Sequence, residues 1–267
     1  MSRPFLGAIS TCRAGVIGAA LGIGNLTKSE QHVRAQQPVK TENDQLSESN
    51  RLEIFSSKAL AWDGLVRWPE FASGITGLRR KLIRRAQGSV LEVAVGTGRN
   101  FRFYDPARVT QLTVTDFSRP MLQRSVAKKS DLRGSLSERV RFVHENARDL
   151  SAFCPDESFD TVVDTFGICS FEDPVEVVRE MARVCKADGR VLLLEHGDSD
   201  WQIFKKYLAN SLGRQLKSFG CFHNRDIRGI VEEAGLEVVE CNRRHFGSIY
   251  WLVCKKGGDV KRLSDPL

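Results

Sequence analysis

From residue 88 to residue 256 the chain alternates short apolar runs with segments whose apolar positions recur at helical spacing. Residues 90–95, 112–116, 141–144, 159–166 and 189–196 read as strands. The first is apolar throughout except for Glu92, the pattern of a parallel strand covered on both faces. Residues 120–129 and 174–185 read as helices, the second with Pro174 in its first turn. A short helix is expected at 100–106, and longer ones at 201–219 and 224–234. Residues 236–241 and 249–254 are two closing strands with no helix between them, so they should pair as an antiparallel hairpin. Strands alternating with helices predict an α/β fold: a doubly wound, mostly parallel, seven-stranded Rossmann-like sheet with a C-terminal antiparallel hairpin.

Upstream the pattern changes. Residues 51–72 bring in Phe55, Trp62, Trp68 and Phe71, aromatics suited to covering a site or packing on a core. Residues 78–85 form a basic helix with Leu78, Leu82 and Ile83 on one face. Its five cations are suited to phosphates, or simply to solvent while the leucines pack. Residues 30–50 are polar and read as a linker. Residues 1–29 carry Arg3, Arg13 and Lys28, several hydroxyls and no acid, the composition of a mitochondrial targeting segment. Residues 14–24, small and apolar, raise the alternative of a short membrane anchor. The expected organisation is thus a targeting segment (1–29), a linker (30–50), one domain (51–256) and a tail (257–267).

Composition changes this picture only slightly. An apolar fraction of 41% suffices for a sizeable core, and the net charge of +7 is a moderate basic excess that suits anionic surroundings without choosing among them. The seven cysteines are scattered, with no C-x-x-C spacing. That argues for free buried thiols rather than a disulfide framework or a zinc site, and no metal ligands are expected.

The chemistry concentrates at residues 89–100. A strand breaks there into a turn with Gly96 and Gly98, where the backbone can turn tightly and approach a ligand without a β-carbon in the way. Open α/β sheets bind ligands at this end of their strands. A nicotinamide site wants G-x-G-x-x-G, and Phe101 stands where the third glycine belongs. S-adenosylmethionine has no pyrophosphate but carries an ammonium and a sulfonium, which suits Glu92 near the turn. Asp116, ending the second strand, is placed to accept both ribose hydroxyls.

Five ordered segments carry a resemblance to the class I S-adenosylmethionine-dependent methyltransferases, in the branch shared with quinone-biosynthesis enzymes. Val90-Leu-Glu-Val-Ala-Val-Gly-Thr-Gly-Arg-Asn100 resembles that family's first motif. Asp116-Phe-Ser-Arg-Pro-Met121 resembles its post-motif acid and the methionine helix packed near adenine. Asn146-Ala-Arg-Asp-Leu150 falls where the family has an acid beside the adenine amine. The segments 159–166 and 185–196 resemble the fourth-strand motif and the fifth-strand entry. The wording at 79–100 and at Glu195-His196 is similar to small mitochondrial and lipid-droplet methyltransferase-like proteins. The resemblance implies S-adenosylmethionine as cofactor, held by Glu92, Ala94, Gly96, Gly98, Asn100, Asp116, Phe117, Met121, Asn146, Ala147 and Thr165. Two positions depart from the family. Ala94 replaces its first glycine, tolerable if the backbone there stays extended. Asn146 replaces an acid but keeps an acceptor oxygen for the adenine amine.

The reaction implied is in-line displacement on the sulfonium methyl, with the protein supplying alignment and excluding water. His196, His223 and His245 follow the fifth strand, where that family builds its substrate lid, and His196 is the candidate base. No Asn-Pro-Pro-Tyr-type motif ends the fourth strand, which disfavours amino-methylation of nucleic-acid bases. The expected acceptor is a small or lipid-like molecule in mitochondria, in the matrix or at the inner membrane. The alternative is a methyltransferase fold serving as an RNA-binding assembly factor, for example on mitochondrial ribosomal RNA, with weak or no catalysis.

Overall fold

A computed structural model describes residues 47–257. The targeting segment, most of the linker and nearly all of the tail expected from the sequence lie outside the described residues. Three helices come first: α1 (Glu48–Lys58), α2 (Trp62–Ala72) and α3 (Ile75–Ile83). α1 starts inside the expected linker because Ser47 accepts a hydrogen bond from the Asn50 amide and caps it.

The sheet follows, with strands β1 (Gly88–Glu92), β2 (Val109–Thr115), β3 (Val140–Val143), β4 (Phe159–Thr165), β5 (Cys185–His196), β6 (Leu236–Arg244) and β7 (Ile249–Lys256). Their spatial order is β3-β2-β1-β4-β5-β7-β6, with the first five parallel and β7 antiparallel to both its neighbours. This is the doubly wound, mostly parallel sheet with a closing antiparallel pair that the apolar pattern predicts. The order reverses between β1 and β4, so the crevice at their carboxyl ends is where a ligand is expected.

The strand alternation sorts residues onto two cores. Leu91, Val162, Leu193 and Leu252 pack against α5 (Pro174–Val184) and α7 (Ile227–Glu233). Val90, Val163, Leu192, Leu194 and Trp251 pack on the other face, against Leu82 and Ile83 of α3. Helix starts follow local capping chemistry: Ser118 caps α4 (Arg119–Ala127), Asp173 caps α5, and Asp226 caps α7. The long helix α6 (Gln202–Phe219) stops at Gly220, which is left-handed at φ 63°. No helix among the described residues is long and apolar enough to cross a membrane.

One expectation is corrected and another qualified. The helix expected at 100–106 is a single 3₁₀ turn, Phe101–Phe103, because Tyr104 turns to extended backbone and Phe101 and Tyr104, three apart, both bury. The basic segment packs through Leu82 and Ile83 and leaves Arg80, Lys81 and Arg84 exposed, as a solvated helix face does, but not every cation faces solvent. Arg79 points inward and is 4% exposed, Arg85 pairs with Glu240, and Lys81 and Arg85 lie over the Trp251 ring. The RNA-binding alternative thereby loses Arg79 from the basic face that suggested it.

Candidate active site

After β1 the chain passes through three left-handed residues in alternation: Ala94 (φ 47°), Gly96 (φ 56°) and Gly98 (φ 77°). Gly96 lines the cavity, where a β-carbon would meet only the Ala94 carbonyl oxygen, at 4.0 Å, and its amide donates to Asp116 Oδ2 at 2.7 Å. Asp116 Oδ1 accepts from the Ser118 amide at 2.8 Å. One carboxylate at the end of β2 thus ties the glycine turn of β1 to the start of α4. Burial pushes its carboxyl up to about 6, against the two amides that donate to it. Gly98 serves packing instead: a β-carbon there would come within 2.7 Å of the Phe101 ring.

The backbone at Ala94 is not extended, the condition under which its methyl group is expected to be tolerable. Left-handed geometry costs an L-residue about 1–2 kcal/mol, partly offset by the 0.5–1 kcal/mol of extra chain entropy that glycine loses on folding. Ala94→Gly is therefore expected to stabilise the fold by about 0.5–1 kcal/mol, read as a rise of about 2 °C in thermal melting.

Glu92 sits below the turn at 1% exposure and does not reach the cavity. Its two oxygens accept from Asn100 Nδ2 (2.8 Å) and from the Tyr104 hydroxyl (2.7 Å). Asn100 Oδ1 in turn accepts from Arg79 Nη1 at 2.9 Å, which also donates to Thr165 Oγ1 at 2.7 Å. Arg79 Nη2 reaches Glu70, whose other oxygen meets Arg99 at 2.6 Å. Burial raises the Glu70 carboxyl, but the two guanidiniums outweigh it and hold it below its ordinary value. A buried network therefore runs from α2 through α3 to β1 and β4, and Glu92 and Asn100 are parts of it.

Above this network lies a cavity of about 440 Å3, within the range of small-molecule sites. Of the residues expected at the cofactor, Ala94, Gly96, Asp116, Phe117, Met121, Ala147 and Thr165 line it, as does His196. Glu92, Gly98, Asn100 and Asn146 do not. Asn146 spends its side-chain oxygen on the Arg148 amide, while its neighbour Glu145 lines the wall. The roof comes from α1 and α2, through Leu52, Phe55, Trp62, Leu65 and Val66, and from Phe219 of α6. Phe55, Trp62 and Phe219 meet edge to face at 5.5 and 6.2 Å. Of the aromatics at 51–72, Phe55 and Trp62 thus cover the site, while Trp68 and Phe71 are exposed and do not line it.

The far wall is the turn after β4, entered through left-handed Phe166 (φ 64°). Two buried acids hold it from beneath. Asp164 Oδ2 accepts from the Ile168 amide, and Glu195 accepts from the amides of Phe166 and Cys169. Gly167 is required where it stands, since a β-carbon would come within 2.3 Å of Asp164. On this wall Cys169, His196 and Cys221 converge, a grouping that no local spacing announces. Burial pushes the Cys169 thiol well above its ordinary range. Of the other histidines, buried His223 is held by the Leu208 carbonyl (2.8 Å) and does not line the cavity; nor does His245.

Burial raises Glu92 to about 7 and Asp164 to about 8, and burial with the charge of Asp164 raises Glu195 well above its ordinary value. A raised carboxyl stabilises the fold below its unfolded value of about 4 and loses that contribution as pH rises through the folded value. The thermal midpoint is accordingly expected to fall by several degrees between pH 5.5 and pH 8.5, measured by calorimetry without ligand. The acids held low, such as Glu70 and Asp63, act only below this window.

A family model described as a methyltransferase domain matches residues 91–193. The phosphatidylethanolamine N-methyltransferase of Cereibacter sphaeroides is 36% identical over 166 residues, covering 61% of this chain and 77% of that protein. The chain belongs to the class I S-adenosylmethionine-dependent methyltransferase family. The family's cofactor is S-adenosylmethionine. The mitochondrial methyltransferase OMS1 of Saccharomyces cerevisiae is 32% identical over 225 residues, covering 78% of this chain but only 47% of that protein's length. Among solved structures, the DhpI–SAH complex superposes with a TM-score of 0.58 at 16% identity, over 79% of this chain and 98% of that one. That likeness supports the fold.

Proposed function

We propose that this chain transfers the methyl group of S-adenosylmethionine to a small or lipid-like acceptor in mitochondria. The observation that carries the reading is one continuous cavity running from Gly96 and Asp116 to an apolar roof of Phe55, Trp62 and Leu65. The cofactor end is polar and backbone-rich, while the acceptor end is closed by aliphatic and aromatic side chains. In this reading Asp116 accepts the ribose hydroxyls, and Phe117, Met121 and Ala147 flank the adenine. The Gly96 turn takes the methionyl end. His196, across the cavity, stands on the acceptor side. The cofactor supplies the electrophile, and the roof keeps water from competing for it.

The mitochondrial part rests on the acid-free residues 1–29 and on the relative named as mitochondrial. The lipid-like part rests on the roof and on a relative named for phosphatidylethanolamine.

The test is titration calorimetry with S-adenosylmethionine, then a mass-spectrometric screen for methyl transfer to thiols, quinone precursors and phosphatidylethanolamine vesicles. Saturable heat and one methylated acceptor class are expected; no heat at millimolar cofactor overturns the proposal. Because ribose hydroxyls donate to a charged carboxylate, cofactor affinity should fall as pH drops below about 6, where Asp116 takes up its proton. An affinity flat from pH 5 to 8 would count against that role.

A further inference from the structure

The wall opposite the glycine turn holds three soft ligand atoms in one place. Cys169 Sγ and Cys221 Sγ lie 3.1 Å apart, and His196 Nδ1 lies 3.9 Å from the first and 3.6 Å from the second. They come from three separate segments: the turn after β4, the last residue of β5, and the residue after the left-handed Gly220 that ends α6. All three line the cavity.

We infer that Cys169, His196 and Cys221 form a zinc site with one coordination position open to the cavity. The geometry carries it. A triangle with sides of 3.1, 3.6 and 3.9 Å has a centre about 2.1 Å from every corner. An ion at that centre, or slightly out of the plane, sits at the roughly 2.0–2.3 Å that zinc keeps to imidazole nitrogen and thiolate sulfur. Two sulfurs and one imidazole are the donor set that selects zinc over calcium or magnesium, which take oxygen.

The ligands are also held from behind. The Cys169 amide donates to Glu195 (3.1 Å), and its carbonyl accepts from the Phe222 amide (2.7 Å), tying the two cysteine segments together. The His196 ring lies 4.4 Å from the Phe166 ring, which fixes its plane. Such outer contacts orient metal ligands and set their affinity. Binding converts two thiols to thiolates and releases two protons, so the ion's two positive charges are balanced by the two sulfurs, with His196 neutral. The fourth position faces the space assigned to the acceptor and takes water or an acceptor heteroatom. In that respect the inference rests on the methyltransferase reading; the metal site itself does not.

The experiment uses the full chain purified in reducing buffer and loaded with zinc. One zinc per chain by elemental analysis is expected, with two protons released on binding. Cobalt substitution should give the intense visible bands of a tetrahedral thiolate site. Cys169→Ser, Cys221→Ser and His196→Gln should each weaken zinc at least 100-fold, whereas Cys241→Ser, at an exposed cysteine away from the wall, should not. Less than 0.1 zinc per chain, or equal zinc in the variants, overturns the inference. So does a loss of two mass units mapped to a Cys169–Cys221 disulfide in metal-free protein kept reduced. Calorimetry of S-adenosylmethionine on the metal-stripped chain separates the two readings: binding there with no zinc site sinks only the metal, and zinc without cofactor binding sinks only the methyltransferase.

Discussion

Arg79→Met is expected to destabilise the protein by about 3–5 kcal/mol, the usual range when one partner of a buried ion pair is removed. Arg79 is 4% exposed and donates to Glu70, Asn100 and Thr165. Methionine fills much of its volume but leaves Glu70 half-paired in a closed space and frees Asn100 from the side opposite Glu92. Thr165 and the Phe166 ring, over which the guanidinium lies at 5.2 Å, also border the cavity. Cofactor affinity should therefore fall alongside stability. Adding Glu70→Gln to Arg79→Met should recover part of the loss, because the uncompensated charge disappears, and the two changes should be strongly non-additive. Urea unfolding of both single variants and the double variant measures this. A loss under about 1 kcal/mol for Arg79→Met would mean that water reaches the network and that its bonds are readily replaced.

Asp116→Ala is expected to lower the affinity for S-adenosylmethionine by about 100-fold or more. Hydrogen bonds to a charged group are worth about 1.5–3 kcal/mol each, and the proposal gives this carboxylate two ribose hydroxyls. The same change removes the acceptor for the Gly96 amide, so the turn itself should loosen. Asp116→Asn separates the two effects. It keeps an oxygen for one amide but loses the charge, so it should retain more stability than Asp116→Ala while binding cofactor nearly as poorly. Titration calorimetry and thermal melting on both variants supply the two readouts. Full affinity in Asp116→Asn would show that the charge is not what the cofactor meets.

Much of the fold was legible because strand burial leaves a periodic trace. Each of the seven strands overlaps its expected segment, and Asp116 lies just past the end of β2 as read from the apolar run before it. What escaped has physical reasons. The sequence suits Glu92 to a cationic cofactor, since a charge inside a buried strand needs a reason. Its partners, Asn100 and Tyr104, lie eight and twelve residues on, in a segment misread as a longer helix. Ala94 is unstrained only in extended backbone, and a single letter does not reveal that the turn holds it at φ 47°. The wall of Cys169, His196 and Cys221 spans 52 residues of chain and carries no short-range spacing, so only the folded sheet brings it together. The aromatics at 51–72 announced a cover, but not that Arg79 beneath them would join it to the strand ends.

The roof has a consequence for kinship. The family model matches residues 91–193, which contain the glycine turn, Asp116 and the Phe166 turn, whereas Leu52, Phe55, Trp62, Leu65, Phe219 and Cys221 all fall outside that match. If the roof meets the acceptor, as proposed, descent can keep the donor's stretch of chain while the acceptor's drifts. Relatives alike in the matched segment can then have different appetites. A graft of residues 48–74 that keeps Asp63 and Glu70, the partners of Arg99 and Arg79, would exchange the share of the roof that α1 and α2 supply and leave the network beneath it paired.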